Sequence, residues 1–131
     1  MTDTSDITDI AAKIRGYSWN DDTFVRNVYR YVIRNIRHVN NPGWTVKTPD
    51  RAFREKTGDC SERALLIEMM LKSQGIDAHV VHGLTVPTTL GLLHDTVEVR
   101  VGKYSKMIDA CDYPDFVKMG DGLHPRETIV E

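Results

Sequence analysis

The chain has 131 residues, enough for one hydrophobic core and too few for two of ordinary size. With 40% hydrophobic and 27% charged residues and a formal net charge of -2, it has the make-up of a globular domain without the basic excess of a nucleic-acid binder. The opening "MTDTSDITDI" is acidic and polar, unlike a secretory signal, and no run approaches the roughly 18 apolar residues of a membrane span, so a cytoplasmic location is expected.

In chain order, "SDITDIAAKIRG" carries Ile7, Ile10, Ala11 and Ile14 at helical spacing, with Ser5 or Asp6 as a cap and Gly16 as a stop. Residues 22–37 carry two stripes. One is apolar (Val25, Val28, Tyr29, Val32, Ile33, Ile36) and the other basic (Arg26, Arg30, Arg34, Arg37), which predicts an amphipathic helix. Its arginine face reads either as solvated surface or as a footprint for an acidic partner, and the acidic balance of the chain favours the first. After the turn-rich "HVNNPGWTVK", the segment "TPDRAFREKTG" offers Thr48 as N-cap, Pro49 at the first helical position and Gly58 as a stop. A second long helix follows from Cys60, apolar on most sides through Ala64, Leu66, Ile67, Met70 and Leu71 until Gly75, and such a helix is buried.

Beyond Gly75 the texture changes to Val-, Ile- and Thr-rich runs, "IDAHVVHGLTV", "HDTVEVRV" and "YSKMIDA", which predict three strands. Helices first and strands second give an α+β fold, a small antiparallel sheet packed on the buried helix. The tail is punctuated by Gly and Pro, with at most a short strand near residues 128–130.

Two cysteines, Cys60 and Cys111, are too few for a disulfide framework and are expected as thiols, although a regulatory pairing stays open. Cys60 falls on the first turn of the buried helix, where unpaired N–H groups and the positive end of the helix dipole favour a thiolate. Gly58 would let the chain turn sharply before it, and nearby backbone N–H groups could bind an oxyanion. The plainer reading is that Gly58 ends one helix, Asp59 caps the next, and Cys60 is a small buried hydrophobe.

A cysteine nucleophile needs a base and a group to orient it. Of five histidines, the strand pairing selects one. "VEVRV-GK-YSKMI" reads as a hairpin with a two-residue Gly102-Lys103 turn of type II′, which sets Val101 against Tyr104, Thr96 against Asp109 and His94 against Cys111. His94 and Asp109 then share a face as diagonal neighbours. Val97, Val99 and Val101 supply the core on the other face, which leaves the His94 face partly polar and able to border a cleft.

"GDCSERA", then "GIDAHVVHG", "HDTVEV" and "MIDA", resemble the transglutaminase-like superfamily of the papain-like fold. The resemblance spans about residues 22–111. It implies Cys60 as nucleophile, His94 as base and then acid, and Asp109 as the group orienting His94, with the N–H of Cys60 or Ser61 serving an oxyanion and Trp44 a candidate for completing that hole. Glu62 fits the family's acidic position and reads as structural, near a helix N-terminus. Asp95-Thr96 and Ala110-Cys111 depart from the family's usual Ala-Trp and Pro-Thr, which bears on the wall of the substrate site.

The resulting expectation is one domain over residues 1–131: a helical lead-in (1–57), a core (58–112) and a tail (113–131). It would act as a thiol-dependent amide or peptide hydrolase or acyl transferase, with hydrolysis favoured because no further segment selects an amine. The substrate would be a peptide or protein amide, with no nucleic acid, membrane or cofactor involved, and residues 85–93 would form the rim of the cleft. The alternative is an inactive binding module of the same fold. A metal site is disfavoured, because His79 and His82 would point to opposite faces of a strand. Cys111 stands as a rival thiol, but a strand edge does not activate sulfur as a helix N-terminus does.

Overall fold

A computed structural model describes residues 5–39, 47–85 and 93–108, with residues 82–85 and 93–95 described by their backbone alone. The expected strand near residues 128–130, Trp44, Asp109 and Cys111 lie outside the described residues.

The first helix, α1 (Ser5–Gly16), ends at the expected glycine and buries Ile7, Ala11 and Ile14. A short corner leads to α2 (Asp21–Asn35), where Asn20 and Thr23 cap each other reciprocally. Arg15 closes the corner by pairing with Asp21 at 2.5 Å and lying 5.0 Å from the centre of the Phe24 ring. The expectation that α2 runs to Arg37 fails. Ile36 is extended, and Arg37–His38 form a two-residue strand, β1. The helical periodicity extends past the true end because Ile36, although off the helix, is still fully buried.

Next comes α3 (Pro49–Glu55), with Thr48 and Pro49 at its start as expected. The residue that ends it is Lys56, in the left-handed region at φ 59°, and not Gly58. Gly58 instead belongs to β2 (Thr57–Gly58), which pairs in parallel with β1. Its lack of a side chain is required by packing, since a Cβ there would come within 3.0 Å of Glu62 Cβ and 3.1 Å of Glu62 Oε1.

The central element is α4 (Cys60–Ser73), which meets α1, α2 and α3 as well as the sheet. Leu66, Ile67, Met70 and Leu71 are fully buried, and each contributes about 1.5–3 kcal/mol on leaving water. Gly75 at φ 83° turns the chain into β3 (Asp77–Thr85), followed by β4 (Leu93–Val101) and β5 (Tyr104–Ile108). These three form an antiparallel sheet with β4 in the middle.

The β4–β5 hairpin has the expected register, Val101 against Tyr104 and Val97 against Ile108. Gly102 carries φ 61° while Lys103 is absent from the left-handed residues, the pattern of a type II′ turn. Val97 and Val99 face α4 and are fully buried, as expected. The opposite face of β4 departs from expectation: Thr96 and Glu98 are polar, but both are 0% exposed. Glu98 accepts a hydrogen bond from Ser105 Oγ at 2.7 Å and lies 2.7 Å from His79 Nε2 across the strand pair, without the alignment of a hydrogen bond. Buried polar groups are ordinarily met by partners, as Ser105 meets Glu98, whereas the Thr96 hydroxyl has none among the described residues.

Arg63, a residue the sequence reading did not single out, is among the largest fully buried side chains of the described residues. Its Nε and one terminal nitrogen donate to the Ile36 carbonyl at 2.8 and 2.5 Å, and that nitrogen also reaches Ile33 O at 3.4 Å. A guanidinium thus sits on the carbonyl end of α2, where the helix dipole is negative.

Two substitutions test these anchors. Arg63→Ala removes charge-assisted hydrogen bonds and leaves a cavity, and should destabilise the fold by about 3 kcal/mol or more, read as a lower urea midpoint. Gly58→Ala forces a Cβ onto Glu62 and should cost about 1–3 kcal/mol in the same measurement, although β2 itself accepts an alanine backbone.

Candidate active site

The approach to Cys60 is built from the backbone outward. Arg37 N donates to Lys56 O at 2.8 Å and Val39 N to Gly58 O at 3.0 Å, so β2 is pinned to β1 immediately before the helix begins. Lys47 adds a second restraint, its ammonium donating to Thr57 O and Oγ1 at 3.0 and 2.9 Å and pairing with Glu55 at 3.0 Å. Held first by Arg51 and then by Lys47, the Glu55 carboxyl is pulled down to about 2.

Asp59 is the N-cap of α4 and Cys60 its first residue. Asp59 Oδ1 accepts from Glu62 N at 3.1 Å, while Glu62 Oε1 accepts from Asp59 N at 3.0 Å, a closed capping box. The second Glu62 oxygen accepts from Lys47 N at 2.5 Å, and Glu62 is 0% exposed. Its role is therefore structural, as the sequence suggested: it ties the segment before α3 to the first turn of α4. The Asp-x-x-Glu spacing in "DCSE" carries this box openly, whereas the contribution of Lys47 leaves no local signal in the sequence.

Cys60 is half-buried. Two influences meet at its sulfur. The helix N-terminus favours a thiolate, while the Asp59 carboxylate beside it opposes one. The same conflict is visible from Asp59, whose carboxyl is pushed up first by burial and further by the charges of Glu62 and Cys60, against the lowering effect of the Glu62 and Ser61 N–H groups.

His94 is the second residue of β4, its backbone paired with Leu84 just past the irregularity in β3 between Val81 and Leu84. α4 packs directly on β4, so the element that starts with Cys60 lies against the strand that carries His94. Two residues along the same face, Thr96 is fully buried, and its hydroxyl makes no hydrogen bond among the described residues. Asp109 follows directly on Ile108, the last described residue of β5. Among the described residues no three His, Cys, Asp or Glu side chains cluster as metal ligands, and no helix is long and apolar enough to cross a membrane.

Comparison with known proteins gives the same architecture. The chain aligns with the structure of a candidate cysteine protease from Cytophaga hutchinsonii at 16% identity and a TM-score of 0.71, covering 90% of this chain and 42% of that one. A candidate protease from Parabacteroides distasonis aligns at 17% identity and a TM-score of 0.63, over 93% of this chain and 28% of that one. LapG from Legionella pneumophila aligns at 12% identity and a TM-score of 0.66, over 92% of this chain and 77% of that one. At these identities the likeness is one of fold, and the chain spans less than half the length of the first two. No curated protein matches the sequence. The family model described as the Transglutaminase-like superfamily matches residues 8–110, most of the chain, from α1 through the hairpin that follows His94. The chain belongs to the transglutaminase-like superfamily.

Proposed function

We propose that the protein is a thiol-dependent amide or peptide hydrolase that works through Cys60, His94 and Asp109. The observation that carries this reading is the placement of Cys60 as the first residue of a buried helix packed on the strand of His94. The sequence reading of the third member rests on the two-residue Gly102-Lys103 turn, and the register expected of that turn holds from Val101–Tyr104 to Val97–Ile108.

In this mechanism the Cys60 sulfur bonds to the carbonyl carbon of the amide, and protonated His94 gives its proton to the leaving nitrogen as the C–N bond breaks. An acyl-thioester remains. Neutral His94 then takes a proton from water, whose oxygen attacks the thioester, and the acid leaves as the Cys60–acyl bond breaks. Asp109 holds the imidazole and stabilises its charged form. The N–H of Cys60 or of Ser61 would serve the oxyanion. Hydrolysis is favoured over transfer to an amine because water is always present at an open thioester.

The rival reading, a binding domain that does no chemistry, draws support from the Asp59 carboxylate beside Cys60, which works against a thiolate. The two readings separate on thiol reactivity. A catalytic Cys60 should alkylate well below the pH of a free thiol, mapped by mass spectrometry, and should lose that advantage in His94→Ala. Cys60→Ala should abolish turnover of any amide substrate found. An inert Cys60 in both proteins would leave the binding domain standing.

Asp59→Asn isolates the charge from the cap, since asparagine caps a helix as well as aspartate does. Removing the neighbouring negative charge should raise Cys60 alkylation at pH 7 by roughly three- to tenfold with the melting temperature little changed.

A further inference from the structure

The exposed face of α2 contains an arrangement that the proposed chemistry leaves unused. Most of the described arginines have a partner. Arg15 and Arg26 pair with Asp21 and Asp22, Arg51 and Arg54 with Glu55 and Asp50, and Arg100 with Glu98, while Arg63 holds backbone carbonyls. Arg30, Arg34 and Arg37 are exceptions. All three are exposed, and none makes a side-chain hydrogen bond or ion pair among the described residues; the first two lie one turn apart on α2 and share a cavity.

These two arginines line a concave cavity of about 290 Å³ together with Tyr17, Asn27, Tyr31 and Asn35. Its polar walls are held in place. Asn27 Nδ2 donates to Ser18 Oγ at 3.1 Å, and Ser18 Oγ in turn donates to Ile14 O at 2.6 Å, which ties the floor to the end of α1. Asn35 Nδ2 donates to Tyr31 O at 2.8 Å. The Tyr31 hydroxyl is shifted up, first by burial and then by the nearby Tyr17, and so remains a neutral donor. A concave site that offers two guanidinium groups and tyrosine hydroxyls selects oxygen anions.

Tyr17, which lines the cavity, is 63% exposed, and Trp19, two residues on in the corner between α1 and α2, is 92% exposed. Trp, Tyr and Arg are the residue types that dominate binding energy at protein–protein interfaces, and a tryptophan left this open has no role in the core. Arg30 and Arg34 are one turn apart, a rise of about 6 Å. That is close to the spacing of about 6.7 Å between alternate side chains of an extended strand.

We infer that the Arg30–Arg34 cavity, with Tyr17 in its wall and Trp19 in the adjoining corner, is a docking surface for an acidic segment of a protein partner. Two carboxylates at alternate positions of that segment meet the two guanidinium groups, and an apolar residue beside them covers Trp19. Charge complementarity carries the choice of occupant. A small inorganic anion would leave the exposed aromatic side chains uncovered, and a nucleic acid would face a chain of net charge -2 whose arginine stripe is confined to α2 and the residue pair after it. The inference does not depend on the chemistry proposed for Cys60.

The test is fluorescence anisotropy at low salt with a fluorescein-labelled peptide of four glutamates followed by two leucines. The wild-type protein should bind it saturably below about 1 mM. The double variant Arg30→Gln/Arg34→Gln should bind at least tenfold more weakly, and Trp19→Ala about threefold more weakly. Arg51→Gln, which removes an arginine of α3 from elsewhere on the surface, should bind like the wild type. If the double glutamine variant folds poorly, Arg30→Lys/Arg34→Lys replaces it, with the charge kept but the planar fork lost, and should still bind more weakly.

Absence of saturable wild-type binding, equal binding by either double variant, or an equal loss in Arg51→Gln would overturn the proposal. Displacement of the probe by hexathymidylate or inorganic phosphate at lower concentration than by unlabelled peptide would also overturn it, in favour of a phosphate ligand.

Discussion

Two adjacent buried charges, Glu62 and Arg63, set the position of everything around the candidate site. Both lie on the first turn of α4, at 0% and 1% exposure, and they reach in different directions. Arg63 grips the carbonyl end of α2 through Ile36 and Ile33, and Glu62 grips the backbone of Asp59 and Lys47. Charged groups are costly to remove from water, so they persist only where dense hydrogen bonding replaces the lost hydration. Here the replacement comes from backbone groups that helix ends and loops leave unsatisfied. One short stretch of sequence thus satisfies the end of α2, the approach to α3 and the start of α4, and Cys60 lies within that knot.

This arrangement explains which features are legible in the sequence. The buried positions of α1 and its end at Gly16 are legible because apolar spacing and a terminal glycine are local signals, whereas Ser5 and Asp6, expected as caps, lie inside the helix. The β4–β5 register is legible for the same reason, since a Gly-Lys turn of two residues determines all the pairings behind it. The end of α2 is misjudged by two residues because burial continues through Ile36 after the helix has stopped. β1 and β2, two residues each, have no periodicity to detect, and the parallel pairing between them joins residues 20 apart. Arg63 is invisible because its partners are carbonyls 27 and 30 residues away, and nothing in "CSERALL" announces a buried guanidinium. Gly58 is correctly singled out, but for the wrong reason: its role is to admit Glu62 and not to stop a helix.

The candidate site itself divides along the same line. The position of Cys60 at a capped helix start is readable because a capping box is a four-residue pattern. The electrostatic balance at the sulfur is not, because the residue that caps the helix also carries the charge that opposes a thiolate. A helix N-terminus acts on the sulfur through oriented backbone dipoles and a carboxylate through a full unit charge, and both are at close range. The cap thus works in two directions, since it stabilises the fold at the point where it restrains ionisation of the Cys60 thiol. Reactivity at Cys60 then depends on a countercharge, which is the part the protonated imidazole of His94 would play. A lone thiol at this helix start would be held back, whereas a thiol paired with an imidazolium would have the Asp59 charge offset. This balance makes the Cys60–His94 pairing, rather than the helix dipole alone, the feature on which catalysis would depend.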